Sequence, residues 1–278
     1  MLRMIVSPTR SGSTALLRCF ENNPYVARVY HQPVKSGYRQ DGTFDYSFFQ
    51  LDNPDLILVA KETVGGFELP ETTFSPIPAS LDTLRREAFA PSEQGANLRL
   101  LALFRDPLQT WASIERLNIY SAGISPYYSP FKYFVTSFEA VFSFLTEARR
   151  LGINIRVITQ EMLAAQPVVI LKTICKLWEI PWSPAMVAWT HPYGAKTWFS
   201  DEARFRMDHD PRFMKSKEAL AASNSYRYVP STTEFVAPEH RVEIRYQLNP
   251  LYAAITKMAL QDFPEGGVVP MATGSDVA

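Results

Sequence analysis

Five strand-length apolar runs constrain this chain more than any other feature. They are Leu2–Val6, Val26–Tyr30, Leu56–Ala60, Leu98–Phe104 and Ile153–Thr159, and most of them lack polar alternation. A run of that kind is how a strand buried on both faces reads. The intervals between them are mostly long enough for helical crossovers. The pattern predicts an α/β fold: a single-domain, three-layer sandwich with a central, mostly parallel five-stranded sheet and helices on both faces. Ligand sites in such sheets lie at the carboxyl ends of the strands. Here those ends are polar: Ser7-Pro8-Thr9-Arg10, His31-Gln32-Pro33-Val34-Lys35, Lys61-Glu62 and Arg105-Asp106-Pro107.

Composition narrows the function classes. The 278 residues carry 28 basic and 28 acidic side chains, so bulk attraction to nucleic acid or anionic membrane is not expected. An aromatic content of 13% with 20% charged residues excludes a disordered chain. Two cysteines, Cys19 and Cys175, suit a reducing compartment and supply neither a disulfide framework nor a four-cysteine zinc site. No apolar run approaches the roughly 20 residues a membrane span needs, and the first strand leaves no room for a signal peptide, so the cytoplasm is the expected location. Residues 1–263 read as one domain and 264–278, rich in Gly and small residues, as a disordered tail.

Among the helices, Phe131–Arg150 is the clearest, with an apolar stripe at helical spacing. Val168–Trp178 and the stretch after Pro238 have the same period, with Pro250 starting or kinking the last helix. Residues 192–236 show little periodicity and are expected to form a long ordered loop region with one short helix. Asp208-His209-Asp210 reads as a capped turn before Pro211, and His191, His209 and His240 lack the spacing of a zinc site. No metal is expected.

Ser7–Thr14 joins the first strand to the first helix. A helix N-terminus offers unpaired N–H groups and partial positive charge to a phosphate. Gly12 permits close backbone approach, Ser13 and Thr14 add hydroxyls, and Arg10 adds a fixed charge. Residues 1–39 also hold Arg3, Arg18, Arg28, Lys35 and Arg39 against Glu21 alone. An ordinary phosphate loop of the G-x-x-x-x-G-K-[ST] type differs: Ser7 stands where its first Gly belongs and Ser13 where its Lys belongs. Losing that Lys disfavours an ATP or GTP hydrolase.

A second loop, Arg105-Asp106-Pro107, is followed by Ser113. Asp106 suits a helix cap and Pro107 the first turn, which places Ser113 within two turns of Arg105. Arg105 and Ser113 then grip one phosphate as a planar multi-donor and a hydroxyl.

Together these loops resemble the sulfotransferases that use 3′-phosphoadenylyl sulfate (PAPS). Arg10-Ser11-Gly12-Ser13-Thr14 is similar to their 5′-phosphosulfate loop in its carbohydrate-type form, R-[ST]-G-[ST]-[ST]. Arg105-Asp106-Pro107 with Ser113 resembles their 3′-phosphate segment, and Cys175-Lys176-Leu177-Trp178-Glu179-Ile180-Pro181 resembles a later helix and turn that usually ends in Leu-Gly. The resemblance implies a P-loop NTPase-like sulfotransferase fold. It implies a 5′-phosphosulfate held by Arg10, Ser11, Gly12, Ser13, Thr14 and Ala15, with the 3′-phosphate held by Arg105 and Ser113. The co-substrate would be PAPS and the product 3′,5′-ADP (PAP). The family's arginine/lysine-glycine loop near the C-terminus is not recognisable. Gly194-Ala195-Lys196-Thr197-Trp198 and Lys215-Ser216-Lys217 are loose substitutes, and the adenine-stacking residue stays open.

Sulfuryl transfer needs an in-line nucleophile, a base for its proton, and cations on the sulfate and leaving oxygens. Less charge develops than in phosphoryl transfer, so side-chain cations suffice without Mg²⁺. His31 is the first candidate base, where carbohydrate-type relatives place a carboxylate; its ordinary pKa lies near neutrality. Glu62 competes, since burial raises a carboxyl toward neutrality. Lys35 or Lys61 steadies the leaving group. The expected acceptor is a hydroxyl, less favourably an amine, of a small molecule, lipid or carbohydrate. Aromatics at Tyr120, Tyr127, Tyr128, Phe131, Tyr133 and Phe134 are either its wall or core. A small-molecule kinase, an aryl-sulfate-dependent variant and a non-catalytic nucleotide-binding module stay open as alternatives. Oligomeric state is not legible.

Overall fold

Strand β1 (Leu2–Pro8) sits inside one parallel sheet, between β3 (Leu58–Val64) and β4 (Leu98–Phe104). β2 (Arg28–His31) lies outside β3, and β5 (Ile155–Thr159) lies outside β4. The computed structural model describes residues 2–37, 55–65, 98–123 and 128–266. All five expected strands are present and all pair in parallel. A sixth, β6 (Thr197–Trp198), adds two residues to the edge of β2, giving the order β5-β4-β1-β3-β2-β6. The fold is α/β, a single parallel sheet flanked by helices.

β3 differs from its sequence expectation. Lys61 and Glu62 do not end it; they lie inside it, and every residue from Leu58 to Val64 is buried. The cause is the length of β1, which runs on to Pro8 and pairs Val6 with Glu62, Ser7 with Thr63 and Pro8 with Val64. Successive strand residues face opposite sides of a sheet. Lys61 therefore shares a face with Thr63, whose Oγ1 accepts from Lys61 Nζ at 3.0 Å, and Glu62 faces the other way.

The helices follow the crossovers. α1 (Ser13–Glu21) follows β1, and α2 (Pro33–Gly37) follows β2. α3 (Pro107–Ser121) starts as its sequence signals: Asp106 caps it by accepting the Gln109 N–H at 2.9 Å, with Pro107 in the first turn. α4 (Phe131–Arg150) buries Phe131, Phe134, Phe138, Val141 and Leu145 against the sheet and against Trp111 of α3. Each such aromatic contributes about 2–3 kcal/mol of burial. α4 stops at Gly152, φ 72°, where the Ile153 N–H reaches the Ala148 carbonyl and the Gly152 N–H that of Arg149. α5 (Gln160–Ala165) and α6 (Pro167–Leu177) follow β5.

Residues 192–236 hold more helix than expected: α7 (Asp201–His209) and α8 (Pro211–Ala222). Of their described side chains, with the joining Asp210, only Asp210 and Arg212 are buried. Helices that bury so little show no apolar period, which is why the sequence reads as loop. Asp210 caps α8 by accepting the Arg212 N–H at 2.9 Å, in keeping with the expected turn before Pro211. The C-terminal part is α9 (Pro238–Glu243), a π-helical turn at Ile244–Leu248, and α10 (Asn249–Asp262) with Pro250 in its first turn. The expected tail begins with a short 3-10 turn, Pro264–Gly266, and its remainder lies outside the described residues.

The topology sets a switch point in the strand order. From β1 the chain crosses to the β2 side, whereas from β4 it crosses to β5 on the opposite side. The crevice between the carboxyl ends of β1 and β4 is thus the switch point where open α/β sheets bind ligands.

Candidate active site

The loop after β1 turns through two left-handed residues, Arg10 at φ 63° and Gly12 at φ 88°. Gly12 is the N-cap of α1 and offers no side chain, so the cap leaves room above the helix end. The N–H groups of Ser13, Thr14 and Ala15 open that helix and have no intrahelical acceptor. A Cβ on Gly12 would lie 2.5 Å from Gln160 Oε1, so the α5 side chain rests directly on the glycine. Ser7 Oγ and Ser11 Oγ are buried without a partner among the described residues. An orphaned buried hydroxyl costs about 1–3 kcal/mol. Hydroxyls, helix N–H groups and a guanidinium around one cradle fit an oxyanion.

The second loop meets the first. Arg10 Nε donates to Ser113 Oγ at 3.2 Å, and Arg10 Nη1 reaches Ser216 Oγ at 3.5 Å. Arg105 is buried at the end of β4, where its Nη2 donates to Ser231 Oγ at 3.2 Å and its guanidinium lies 5.2 Å from the Tyr228 ring centre. Burial, then the like charges of Arg105, Arg116 and Arg212, push the Arg10 pKa down to about 10. Guanidiniums crowded this way fit a multiply charged anion.

β3 lies next to β1 at the cradle and β2 lies beyond β3. His31 is in register with Lys61, and its ring lies 5.3 Å from that of Phe199. Its Nδ1 is buried without a partner among the described residues. Burial, Lys61 and Lys35 hold its pKa well below the ordinary histidine value, so the ring is neutral at pH 7. Glu62 accepts the Val34 and Lys35 N–H groups through Oε2, at 3.0 and 3.4 Å, which caps α2. Burial pushes its pKa up to about 7 against the pull of Lys35 and Lys61. Burial also pushes Lys61 down to about 7, opposed by Glu62 and reinforced by Lys35 and Arg10. The two candidate bases therefore face opposite sides of the sheet, and His31 shares the side of Lys61.

Several sequence expectations land elsewhere. Arg3 bonds the Trp178 carbonyl at 2.7 Å, and Arg18 lies over Trp189 and donates to the Ser223 carbonyl, so neither adds to the cradle. Arg39 and Tyr127 lie outside the described residues. Of the two loose substitutes near the C-terminus, Lys196 bonds the Asn23 and Val26 carbonyls. Lys215 sits 3.9 Å over the Tyr120 ring, Lys217 pairs with Asp208, and Ser216 alone of that trio meets Arg10. Phe131 and Phe134 are core, whereas Tyr120 and Tyr128 are exposed.

The sequence did not point to Ser231, Tyr228, Gln109 or Gln160. Gln109 Oε1 accepts the Ser231 N–H at 2.7 Å, which ties α3 to the segment that covers Arg105. Those residues lack a motif, and only the folded chain brings them to the strand ends. Among the described residues no group of three or more His, Cys, Asp or Glu is placed to hold a metal, and no helix is long and apolar enough to cross a membrane.

No protein-family model matches the chain, and no curated protein sequence does. Among solved structures it is similar to a mouse sulfotransferase complexed with PAP, at 14% identity over 95% of this chain and 86% of that one, with a TM-score of 0.46. It is similar to the sulfotransferase domain from the curacin biosynthetic pathway at 17% identity over 87% and 95%, with a TM-score of 0.47. A sulfotransferase from Alicyclobacillus acidocaldarius shares 13% identity over 78% and 95%, with a TM-score of 0.43.

Proposed function

We propose that the chain transfers a sulfuryl group from PAPS to a hydroxyl of a small-molecule, lipid or carbohydrate acceptor. The observation that carries this reading is the 3.2 Å contact of Arg10 with Ser113, which joins the helix-end cradle to the Arg105 segment at one crevice. A donor with a sulfated 5′-phosphate and a separate 3′-phosphate needs two adjacent anion sites of this kind. A nucleoside triphosphate, by contrast, calls for the phosphate-loop lysine that Ser13 replaces.

In this reading Arg10, Ser11, Gly12, Ser13, Thr14 and Ala15 hold the 5′-phosphosulfate, and Arg105 with Ser113 holds the 3′-phosphate. The acceptor oxygen attacks sulfur in line as the bond from sulfur to the 5′-phosphate oxygen breaks, and PAP departs with that electron pair. The acceptor proton passes to His31. Arg10 and Lys35 take up charge on the sulfate and on the leaving oxygen, and Lys61, whose pKa burial lowers to about 7, joins them only in its charged form. Bound donor favours the charged imidazolium and brings the His31 pKa back up toward neutrality. A one-domain cytoplasmic enzyme working without metal is the form we propose, in keeping with the two free, buried cysteines.

Calorimetric titration with PAP, 5′-AMP and Mg-ATP tests the reading, with Arg105→Ala as the control. PAP binds the parent tightly and the variant weakly, and 5′-AMP binds both weakly. Mg-ATP binding in preference to PAP would turn the assignment to a kinase.

A further inference from the structure

Glu161, the second residue of α5, gathers three distant segments onto one carboxylate. Its Oε1 accepts the Asp106 N–H at 3.1 Å and the Tyr228 hydroxyl at 3.5 Å, and its Oε2 accepts the Tyr252 hydroxyl at 2.6 Å. Two of these contacts bear on Arg105. Asp106 is the residue after it and the cap of α3. Tyr228 is the ring its guanidinium lies over, and Tyr252 joins α10 to the same carboxylate. Among the described residues Glu161 bonds Asp106, Tyr228 and Tyr252 and not Arg105 itself, and an acid pairing with that arginine would cancel the charge an anion needs. The carboxylate thus ties down both the backbone that launches Arg105 and the ring beside it, without itself pairing with the guanidinium.

We infer that Glu161 is a positioning residue for the anion site at Arg105, setting the enzyme's preference for a nucleotide that carries a 3′-phosphate. The inference rests on the donor reading above. It assigns a specificity role to a residue away from both phosphate loops, acting through Asp106 and Tyr228. Burial raises the Glu161 pKa and the Tyr252 hydroxyl and Asp106 N–H lower it, so these donors help keep the carboxylate charged.

The test compares PAP with adenosine 5′-phosphosulfate, which lacks the 3′-phosphate, on the full chain. Glu161→Gln keeps the shape and removes the charge; it lowers PAP affinity by about tenfold and leaves adenosine 5′-phosphosulfate affinity unchanged. Tyr252→Phe removes one hydroxyl, shifts the same ratio in the same direction by about threefold, and guards against a Glu161 variant that does not fold. A merely structural Glu161 would weaken both ligands equally, or neither, and either result overturns the inference. Failure of the parent to bind PAP overturns the donor reading instead, and the inference falls with it.

Discussion

Arg10 and Ser113 are 103 positions apart, yet the guanidinium of one donates to the hydroxyl of the other at 3.2 Å. The bond ties the loop after β1 to α3 beside the β1–β4 crevice. No carboxylate pairs with Arg10 among the described residues, although three other guanidiniums act on it. A half-buried, crowded cation without a counter-charge among the described residues is held there by the fold at a cost to stability.

Arg10→Ala separates that cost from function. Turnover falls by at least about a hundredfold, since a cation aimed at the transferring group is lost. Thermal stability stays level or rises, because like-charge repulsion and burial of an ion are relieved. Steady-state kinetics beside a melting curve checks both; a Tm several degrees lower would show that Arg10 stabilises the fold.

Glu62 predicts a pH dependence of stability. Its folded pKa of about 7 stands above the ordinary carboxyl value of 4.5, so between these limits the folded chain holds a proton that the unfolded chain has released. Stability therefore falls as pH rises from about 4.5 to 7 and is flat in this respect above. Glu62→Gln keeps an oxygen for the Val34 N–H and removes the titration. The variant gains on the parent by an amount on the order of 2–3 kcal/mol between pH 5 and pH 8. Urea unfolding at both pH values measures it, and an equal difference at each would refute the assignment. Lys61, lowered to about 7, differs from its unfolded state only above that window.

The strands and the turns after β1 and β4 were legible because each rests on local chemistry: apolar runs bounded by turns, a capping Asp106, a Pro107, a Gly12 that takes φ 88°. What escaped depends on pairing between distant segments. β3 runs past Lys61 and Glu62 only because β1 reaches Pro8, and α7 and α8 bury too little to leave a period. The turn after α6 shows the same limit. Its Ile180 N–H bonds the Cys175 carbonyl and its Glu179 N–H that of Lys176, the pattern that ordinarily takes glycine, and Glu179 accepts φ 55° there while pairing with Arg99. The residues covering Arg105 arrive from Gln109, Tyr228 and Ser231, which no spacing connects.

Gly12→Ala meets two obstacles at once. The backbone is left-handed at φ 88°, and the new Cβ would lie 2.5 Å from Gln160 Oε1. The expected loss is about 1–2 kcal/mol of stability with PAP binding abolished. Adding Gln160→Ala removes the collision and leaves the backbone strain, so stability recovers in part. Full recovery would show that the left-handed turn costs alanine nothing here.

His31 as base makes a prediction that Glu62 as base does not share. Its free ring is neutral far below pH 7, held there by burial, Lys61 and Lys35, and the negative donor raises that limit only toward neutrality. The parent's kcat is therefore flat from about pH 7.5 to 9, above the ordinary histidine value of about 6.5. His31→Asn lowers kcat by about a hundredfold or more and changes PAP affinity by less than about twofold, since the ring acts on the acceptor proton rather than on the nucleotide. A base at Glu62 would instead give a rate that climbs through about pH 7 and is lost in Glu62→Gln. Glu62 also spends Oε2 on the start of α2 and faces the side of β3 away from Lys61, whereas His31 shares the face of Lys61 and leaves its Nδ1 without a partner among the described residues.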